Sequence, residues 1–419
     1  MSPGKPRERT SPTYRTATTG FTRDVNRAAV LRLIGSSAPI ARKTIAEQLG
    51  LSPATVTQIT RDLVRQGLIR VARRAPSRGG RPALLLELVG GAATAFGAKV
   101  APDHLVGVRV DLEAEVVERF ECEFDGIAPD SLDRLGEILG DWLRGSSAHP
   151  PLLGVGLGVP GVFDRRTGEL DSPLLGWRGV RVAHQLQRRL RAPVLVDNDV
   201  NTLAVWERLY GRGQEVDDLI VVTIGRGVGL GIVTGGDIYR GFRGGAGEFG
   251  HVSVVDDGPI CSCGKQGCLE AVVGDPALVD RARAEGVLSR RQGIGRLLDL
   301  AAQGDERALT IYADAGAMLG RGVSGLVNVL APELVLLSGE GTQAWSFLAP
   351  AFEEELRAHL FPAFAGVAVE VDPWDDAKWA VGAASLVLRA TFTAPLDGEH
   401  TDSIRARIGT GAPAAEVVG

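Results

Sequence analysis

Cysteine is scarce in this sequence, four in 419 residues, and methionine (two) and tyrosine (four) are no commoner. So few cysteines exclude a disulfide-stapled scaffold, and three of the four crowd into Cys261–Cys268, a usage that fits a reducing cytoplasm. Long apolar runs are missing as well. None is long enough to span a bilayer, and Met1–Gly20 lacks the apolar centre of a signal peptide, so no membrane partner is expected. Acidic residues are thin at the front. Residues 1–90 hold sixteen Lys/Arg against five Asp/Glu, a balance of +11, which leaves −16 for the remainder of a chain whose net charge is −5. A basic front on an acidic body suggests that one segment meets nucleic acid while the body repels it. With 44% hydrophobic residues, the chain has more than one domain's worth of core and reads as soluble.

What is present is concentrated in Gly247–Ala271, GEFGHVSVVDDGPICSCGKQGCLEA. His251, Cys261, Cys263 and Cys268 supply one imidazole and three soft thiolates, a full tetrahedral set for zinc and a poor one for magnesium or calcium. The spacing is not the C-x2-C of zinc fingers, and three reduced thiols beside an unrelated histidine are the alternative. Gly258, Gly264 and Gly267 favour a short loop folded back on one ion. A four-ligand site is closed, so this zinc is expected to be structural and to shape its neighbours Glu248, His251 and Glu270.

In the basic front, Met1–Phe21 is rich in Pro, Ser, Thr, Arg and Gly and reads as a disordered arm (residues 1–21). Val25 to Ile34 gives a first helix and Ala41–Leu49 a second, closed by Gly50. Ser52 and Pro53 then provide the N-cap and first position of a third helix. Along it Val56, Ile59 and Leu63 share one face, leaving Thr55, Thr57, Gln58 and Arg61 for the other. Helix, glycine turn and capped helix is the helix-turn-helix plan, with the last helix entering the major groove. Gln58 suits adenine and Arg61 guanine or phosphate. Leu68–Val71 and Leu84–Leu88 read as a hairpin wing whose tip carries Arg73, Arg74, Arg78 and Arg81, shaped for a narrow minor groove. The alternative is a small helical domain with a solvated basic loop. Residues 22–90 are therefore expected to form a winged helix-turn-helix domain on operator DNA.

From about Gly91 strands and helices alternate: Thr94–Val100, His104–Asp111, Val116–Phe124, Ser131–Leu143 (helix), Leu152–Val159, Val182–Leu190 (helix) and Val194–Asp197. A second round runs through Leu219–Ile224, Gly229–Val233, Leu334–Leu337 and Val367–Val371. Two βββαβα-like halves suggest a duplicated fold with ligand in the cleft between lobes. Gly156–Gly161 is a glycine-rich strand end, and Asp197-Asn198-Asp199 follows a strand and opens a helix, where ligands commonly sit in open α/β sheets. An Asp at a helix start is equally an ordinary cap.

GEFGH followed by C-x-C-G-x-x-G-C-L-E resembles the signature of the ROK family (repressors, open reading frames and sugar kinases), and Gly80-Arg81-Pro82 resembles the linker of its repressors. The resemblance covers roughly Gly91 to Leu388. It implies a two-lobed actin-like (ribonuclease-H-like) ROK domain over residues 91–390, with residues 391–419 as a flexible tail. It implies a sugar held by Glu248, His251, Glu270, Asn198, Asp199 and Gly161, with Asp199 the general base in the kinases. Three departures matter. Where the kinases need an Asp-x-Gly-Gly-Thr phosphate turn, this chain has Lys99-Val-Ala-Pro-Asp-His104, which lacks glycine, loses an N–H at Pro102 and places an acid at Asp103. Arg226 and Glu340 also interrupt the second phosphate loop and the adenosine turn. Leu174 replaces an Asn that often contacts the sugar. The expectation is a cytoplasmic, sugar-responsive transcriptional regulator, most simply a repressor, acting as a homodimer or homotetramer without catalytic residues. The alternatives are a sugar kinase fused to a DNA-binding domain, and a regulator governed by a protein partner.

Overall fold

The computed structural model describes residues 19–74, 83–145 and 150–392. Two compact units divide after Val89, the second being Gly90–Leu388.

The first unit begins with α1 (Thr19–Ser37), then β1 (Ile40–Ala41), α2 (Arg42–Leu49), α3 (Pro53–Arg65), β2 (Ile69–Arg74) and β3 (Leu84–Leu88). Gly50 ends α2 in the left-handed conformation at φ 62, and the Ser52 side chain accepts the Thr55 N–H at 3.1 Å to start α3. Val56, Ile59 and Leu63 are buried, as their spacing predicts. Arg42 of α2 donates to Thr60 of α3 at 2.7 Å, fixing the angle of the pair. Two expected boundaries need correction. Helix α1 starts at Thr19, inside the stretch read as an arm, running on through Gly20 from a body anchored by the buried Ala28, Val30, Leu31 and Ile34. Ala41 belongs to a short strand and not to α2: it pairs with Leu85, making a three-stranded sheet of order β1-β3-β2. The expected minor-groove residues Arg78 and Arg81 lie outside the described residues, as do residues 1–18 of the arm and 393–419 of the tail.

The second unit repeats one topology. Its first lobe contains β4 (Thr94–Val100), β5 (His104–Asp111), β6 (Val116–Glu123), α4 (Ser131–Gly145), β7 (Leu152–Val159), a small sheet of β8 (Val162–Asp164), β9 (Glu169–Ser172) and β10 (Trp177–Val180), then α5 (Val182–Leu190), β11 (Val194–Asn198) and α6 (Asp199–Leu209). The second lobe contains β12 (Leu219–Ile224), β13 (Val228–Thr234), β14 (Asp237–Ile238), α7 (Glu270–Val273), α8 (Asp275–Ala284), α9 (Ile294–Ala302), α10 (Glu306–Leu330), β15 (Leu334–Ser338), α11 (Trp345–His359), β16 (Ala368–Val371) and α12 (Asp376–Phe392). The sheets run β11-β7-β4-β5-β6 and β14-β13-β12-β15-β16. In both, an antiparallel meander is extended by two parallel strands, so the halves are topological duplicates. Helix α12 crosses the first sheet closely: a Cβ at Gly97 would lie 2.0 Å from the Ala380 carbonyl, and one at Gly156 1.8 Å from that of Ala383. These strands need glycine there. Buried Val387, Leu388 and Ala390 carry α12 past residue 390, to Phe392.

Helix α6 presents the Asn198–Asp199 corner and is anchored by Glu207, which is fully buried. One Glu207 oxygen accepts the Arg212 N–H at 3.1 Å; the other has no partner. Burial, opposed by that N–H and reinforced by Asp372, pushes the carboxyl up to about 7. In the unfolded chain the same carboxyl ionises near 4.5, so it sheds its proton there first as pH rises. The Glu207 contribution to stability is therefore full below pH 4.5 and is lost as pH rises through 7, by roughly 3 kcal/mol. Glu207→Gln is expected to flatten this decline. Melting temperatures between about pH 5 and pH 8 check it, and parallel declines in variant and parent would contradict the assignment.

Candidate functional site

The metal-type residues converge. The donor atoms of His251, Cys261, Cys263 and Cys268 all lie within 4.8 Å of one another. Cys263 and Cys268 sulfurs are 3.7 Å apart, and Cys261 Sγ is 3.5 Å from His251 Nδ1. A tetrahedral ion with bonds of about 2.3 Å to sulfur and 2.0–2.1 Å to nitrogen sets S···S near ~3.8 Å and S···N near ~3.5 Å. These two pairs match the spacing of a four-coordinate site, and the remaining pairs lie within 4.8 Å. The loop reaches them by tight turning: Cys261 N donates to Lys265 O at 2.7 Å, Val254 N to Gly267 O at 2.8 Å, and Leu269 N to Val252 O at 2.9 Å. Gly267, at φ 70, has no room for a Cβ, which would sit 1.7 Å from the Val255 carbonyl. Burial and the neighbouring sulfurs push the Cys268 thiol up to about 11, whereas the Lys265 N–H holds Cys263 below the ordinary thiol value. Three thiolates this close repel one another, and a dication at their centre would remove that conflict.

On the outer side of this loop His251 turns its other nitrogen, Nε2, toward Glu248 at 3.9 Å. Glu270 accepts from Ser262 Oγ at 3.3 Å and from the Val228 N–H at 3.2 Å. Opposite, Asn198 caps α6 by accepting the Asn201 N–H at 3.1 Å and donates to the Gly161 carbonyl at 3.0 Å. The cap is thus Asn198, with Asp199 the first helical residue. Burial lifts the Asp199 carboxyl above its usual range, against Lys99 and with help from Glu248. Burial likewise lifts Glu248, opposed by His251 and reinforced by Glu270. The acids of both sides therefore sense each other across one space, and the structure brings Gly161, Asn198, Asp199, Glu248, His251 and Glu270 to a single corner.

The three residues that interrupt the expected phosphate and adenosine turns meet one another. Arg226, between β12 and β13, donates to Asp103, between β4 and β5, at 2.5 Å, and its backbone N–H donates to Glu340 at 2.9 Å. This ion pair joins the two lobes. Arg226 and His104 hold the Asp103 carboxyl down at about 2. His104 also bonds Asp376 at 3.1 Å, and Asp376 pairs with Lys99. Bonding to Asp376 and Asp103 raises His104 despite its burial. Against burial, His104 and Lys99 bring Asp376 down to about 2.

Residues 106–390, well over half of the chain, match the ROK family. The chain belongs to the ROK family. Residues 25–77 match the MarR family, in keeping with the winged helix seen there. This ROK protein is 30% identical over 388 residues to the DNA-binding transcriptional dual regulator NagC of Escherichia coli (strain K12), covering 88% of this chain and 93% of that one. It is 26% identical over 343 residues to the xylose repressor of Bacillus subtilis (strain 168), covering 81% and 88%. A ROK family glucokinase from Streptomyces griseus, solved with glucose and AMPPNP, superposes with a TM-score of 0.61 at 27% identity, covering 70% of this chain and 98% of that one. A ROK family transcriptional regulator described as a homolog of the E. coli MLC protein superposes at 0.80 with 24% identity over 93% and 99%, a likeness of fold through both units.

Several residues around this candidate site carried no signal in the sequence of this ROK protein. Lys99, which lies close to Asp199 and 4.4 Å over the Trp379 ring, sits in a strand that reads as ordinary core. Arg240 clamps the buried Asp197 carboxylate through two nitrogens, 2.5 and 2.8 Å, and so fixes the end of β11 from a loop with no recognisable motif. Leu174, standing where an Asn was expected, is 55% exposed. On α3, Thr55 shares the Ser52 cap, Thr57 bonds the Pro53 carbonyl at 2.7 Å, and Gln58 reaches Asp62 at 3.2 Å. Arg61 is exposed, with no side-chain partner among the described residues. Among these, no helix is long and apolar enough to cross a membrane.

Proposed function

We propose that this chain is a cytoplasmic DNA-binding transcriptional regulator, a repressor of carbohydrate-utilisation genes that is released by a sugar or sugar derivative. The observation that carries the reading is the union of a capped, basic-fronted recognition helix with a ROK body, an arrangement matched along most of its length by NagC and the xylose repressor. Residues 22–90 read operator DNA, through Thr55, Thr57, Gln58 and Arg61 of α3 and through Arg78 and Arg81 of the wing. Residues 91–390 sense the sugar. Gly161 and Asn198 form one side of its seat, Asp199 the floor, and Glu248, His251 and Glu270 the other side. Structural zinc held by His251, Cys261, Cys263 and Cys268 neutralises the thiolates and pins the loop. The remaining imidazole nitrogen is left to bond a sugar hydroxyl.

Phosphoryl transfer is disfavoured by Asp103. Its ionised carboxylate and the guanidinium committed to it occupy the inter-lobe contact, and Pro102 offers no N–H to a phosphate. Asp199 is then a sugar ligand and not a base. The protein acts as a homodimer or homotetramer, since winged helices read paired half-sites. Sugar favours one lobe arrangement, and operator affinity falls by its differential affinity for the two.

Two measurements test this. Thermal shifts with plain and phosphorylated mono- and disaccharides are expected to find one that stabilises the protein and releases operator DNA. ATP is expected to phosphorylate none of them. Turnover abolished by Asp199→Asn would establish the kinase reading instead, and operator binding with no sugar response would favour control by a protein partner.

A further inference from the structure

Between β14 and Glu248 the chain leaves the second lobe and docks on the first. This loop, residues 239–247, is tied to its own lobe at both ends. Tyr239 N donates to the Ile232 carbonyl of β13 at 2.8 Å. Gly247, at φ 97, lies so close to β13 that a Cβ would be 2.1 Å from the Leu230 carbonyl. In between, the loop closes on itself, with Ala246 N donating to the Arg240 carbonyl at 3.0 Å and Gly245 N to that of Phe242 at 3.2 Å. Three contacts then seat it on the first lobe. Arg240 holds the Asp197 carboxylate at the end of β11 through two nitrogens. Arg243 Nε donates to Asp164, at the end of β8, at 3.0 Å. Between them a Cβ on Gly244 would lie 2.1 Å from the Phe163 carbonyl, so the two backbones touch.

Each contact fixes a part of the sugar corner. The other Asp197 oxygen accepts the Asn198 N–H at 3.0 Å and the Asn201 side chain at 3.3 Å, which puts Arg240 one bond away from the Asn198–Asp199 side. Asp164 lies just past Gly161, and its second oxygen accepts the Arg166 N–H at 2.9 Å. The loop itself runs directly into Glu248, on the opposite side. One short loop thus joins the three places that supply polar groups to the corner. The backbone at Arg243 adds a second sign. Its φ is 57, in the left-handed region where glycine sits without cost. The chain keeps a side chain there nonetheless, and its guanidinium bonds across the lobes.

We propose that residues 239–247 form an inter-lobe clasp, with Arg240 and Arg243 as positioning residues that hold the two sides of the sugar seat at one separation. The inference deepens the sugar reading and rests on it for the ligand. A seat divided between lobes binds only when they are apposed, so apparent affinity scales with the fraction of molecules in that arrangement. A neutral sugar carries no charge for salt to screen. A salt dependence that disappears with Arg243 therefore reports the Arg243–Asp164 pair, whose Arg side chain is 54% exposed and open to screening.

Hydrogen exchange on the full chain without ligand tests the clasp. Arg243→Gln is expected to speed exchange about tenfold at the loop amides of Gly245 and Ala246, and also at Asn198 and Asn201 across the cleft. Arg243→Lys, which keeps the charge, is expected to restore most of that protection, and unchanged circular dichroism shows that both variants fold. Calorimetry follows with the neutral sugars glucose, xylose and N-acetylglucosamine as probes. For whichever binds, Arg243→Gln is expected to weaken affinity by about three- to tenfold and to remove the salt dependence that the parent shows. Faster exchange confined to the loop, or equal sugar affinity and equal salt dependence in parent and variant, would overturn the proposal. Binding of none of the three sugars would count against the sugar reading, and the exchange result would still decide the clasp.

Discussion

Cys263→Ser is expected to empty the metal site, lowering bound zinc from about one per chain to a small fraction of that, and to abolish the sugar response while operator binding survives. Cys263 is the exposed member of the set, so its replacement leaves almost no cavity and the effect isolates coordination from packing. Changes behind a ligand already cost roughly 10–100-fold in metal affinity, and loss of a thiolate itself goes further. Without the ion, Cys261 and Cys268 stay buried and crowded, and the Gly258–Gly267 turn loses what holds it. His251 and Glu270 then lose their placement, because one is a member of the cluster and the other contacts Cys261 and Ser262. The winged helix lies in a separate unit and should keep its fold. Elemental analysis, sugar titration and operator binding on one preparation decide the matter. Full metal content in the variant would remove the site, and full metal loss with an intact sugar response would sever the link between ion and pocket.

Legibility from sequence followed the locality of the physics. Ser52, Pro53 and Gly50 act within one turn of themselves, so α3 and its buried Val56, Ile59 and Leu63 could be placed in advance. The convergence of His251 with the three cysteines was legible for the same reason, since four donors within eighteen positions need little long-range folding to meet. Strand positions in both lobes were readable from apolar runs, but their pairing was not. The shared strand order emerges only when β7 and β15 are seen beside β4 and β12. What could not be read were contacts across long separations. Arg226 meets Asp103 across 123 positions, and Lys99 meets Asp376 across 277. Each residue looked like an isolated irregularity, and only the fold makes Asp103, Arg226 and Glu340 a single inter-lobe feature. The small boundary errors share another cause. Ala41 suits a helix by propensity, but pairing with Leu85 draws it into the sheet, a tertiary preference that outweighs the local one.

Arg61→Ala is expected to weaken binding to the selected operator by roughly 10–100-fold while leaving affinity for random duplex nearly unchanged. Among the α3 residues facing solvent, Thr57 and Gln58 already spend side-chain hydrogen bonds on Pro53 and Asp62. Gln58 must give up Asp62 before it can read a base, so part of what it gains on DNA is offset by what it leaves. Arg61 breaks nothing, and its guanidinium matches the paired acceptors of guanine, a contact of about 1–3 kcal/mol. The order of effects should therefore be Arg61→Ala above Gln58→Ala, although both face the same groove. Removing a phosphate contact would behave differently, with equal losses on every sequence and a salt slope shallower by about one. Fluorescence anisotropy with operator and random duplexes at several salt concentrations separates the two. Equal losses with a reduced slope would reassign Arg61 to the backbone, and a larger effect at Gln58 would show that the Asp62 bond is not kept on DNA.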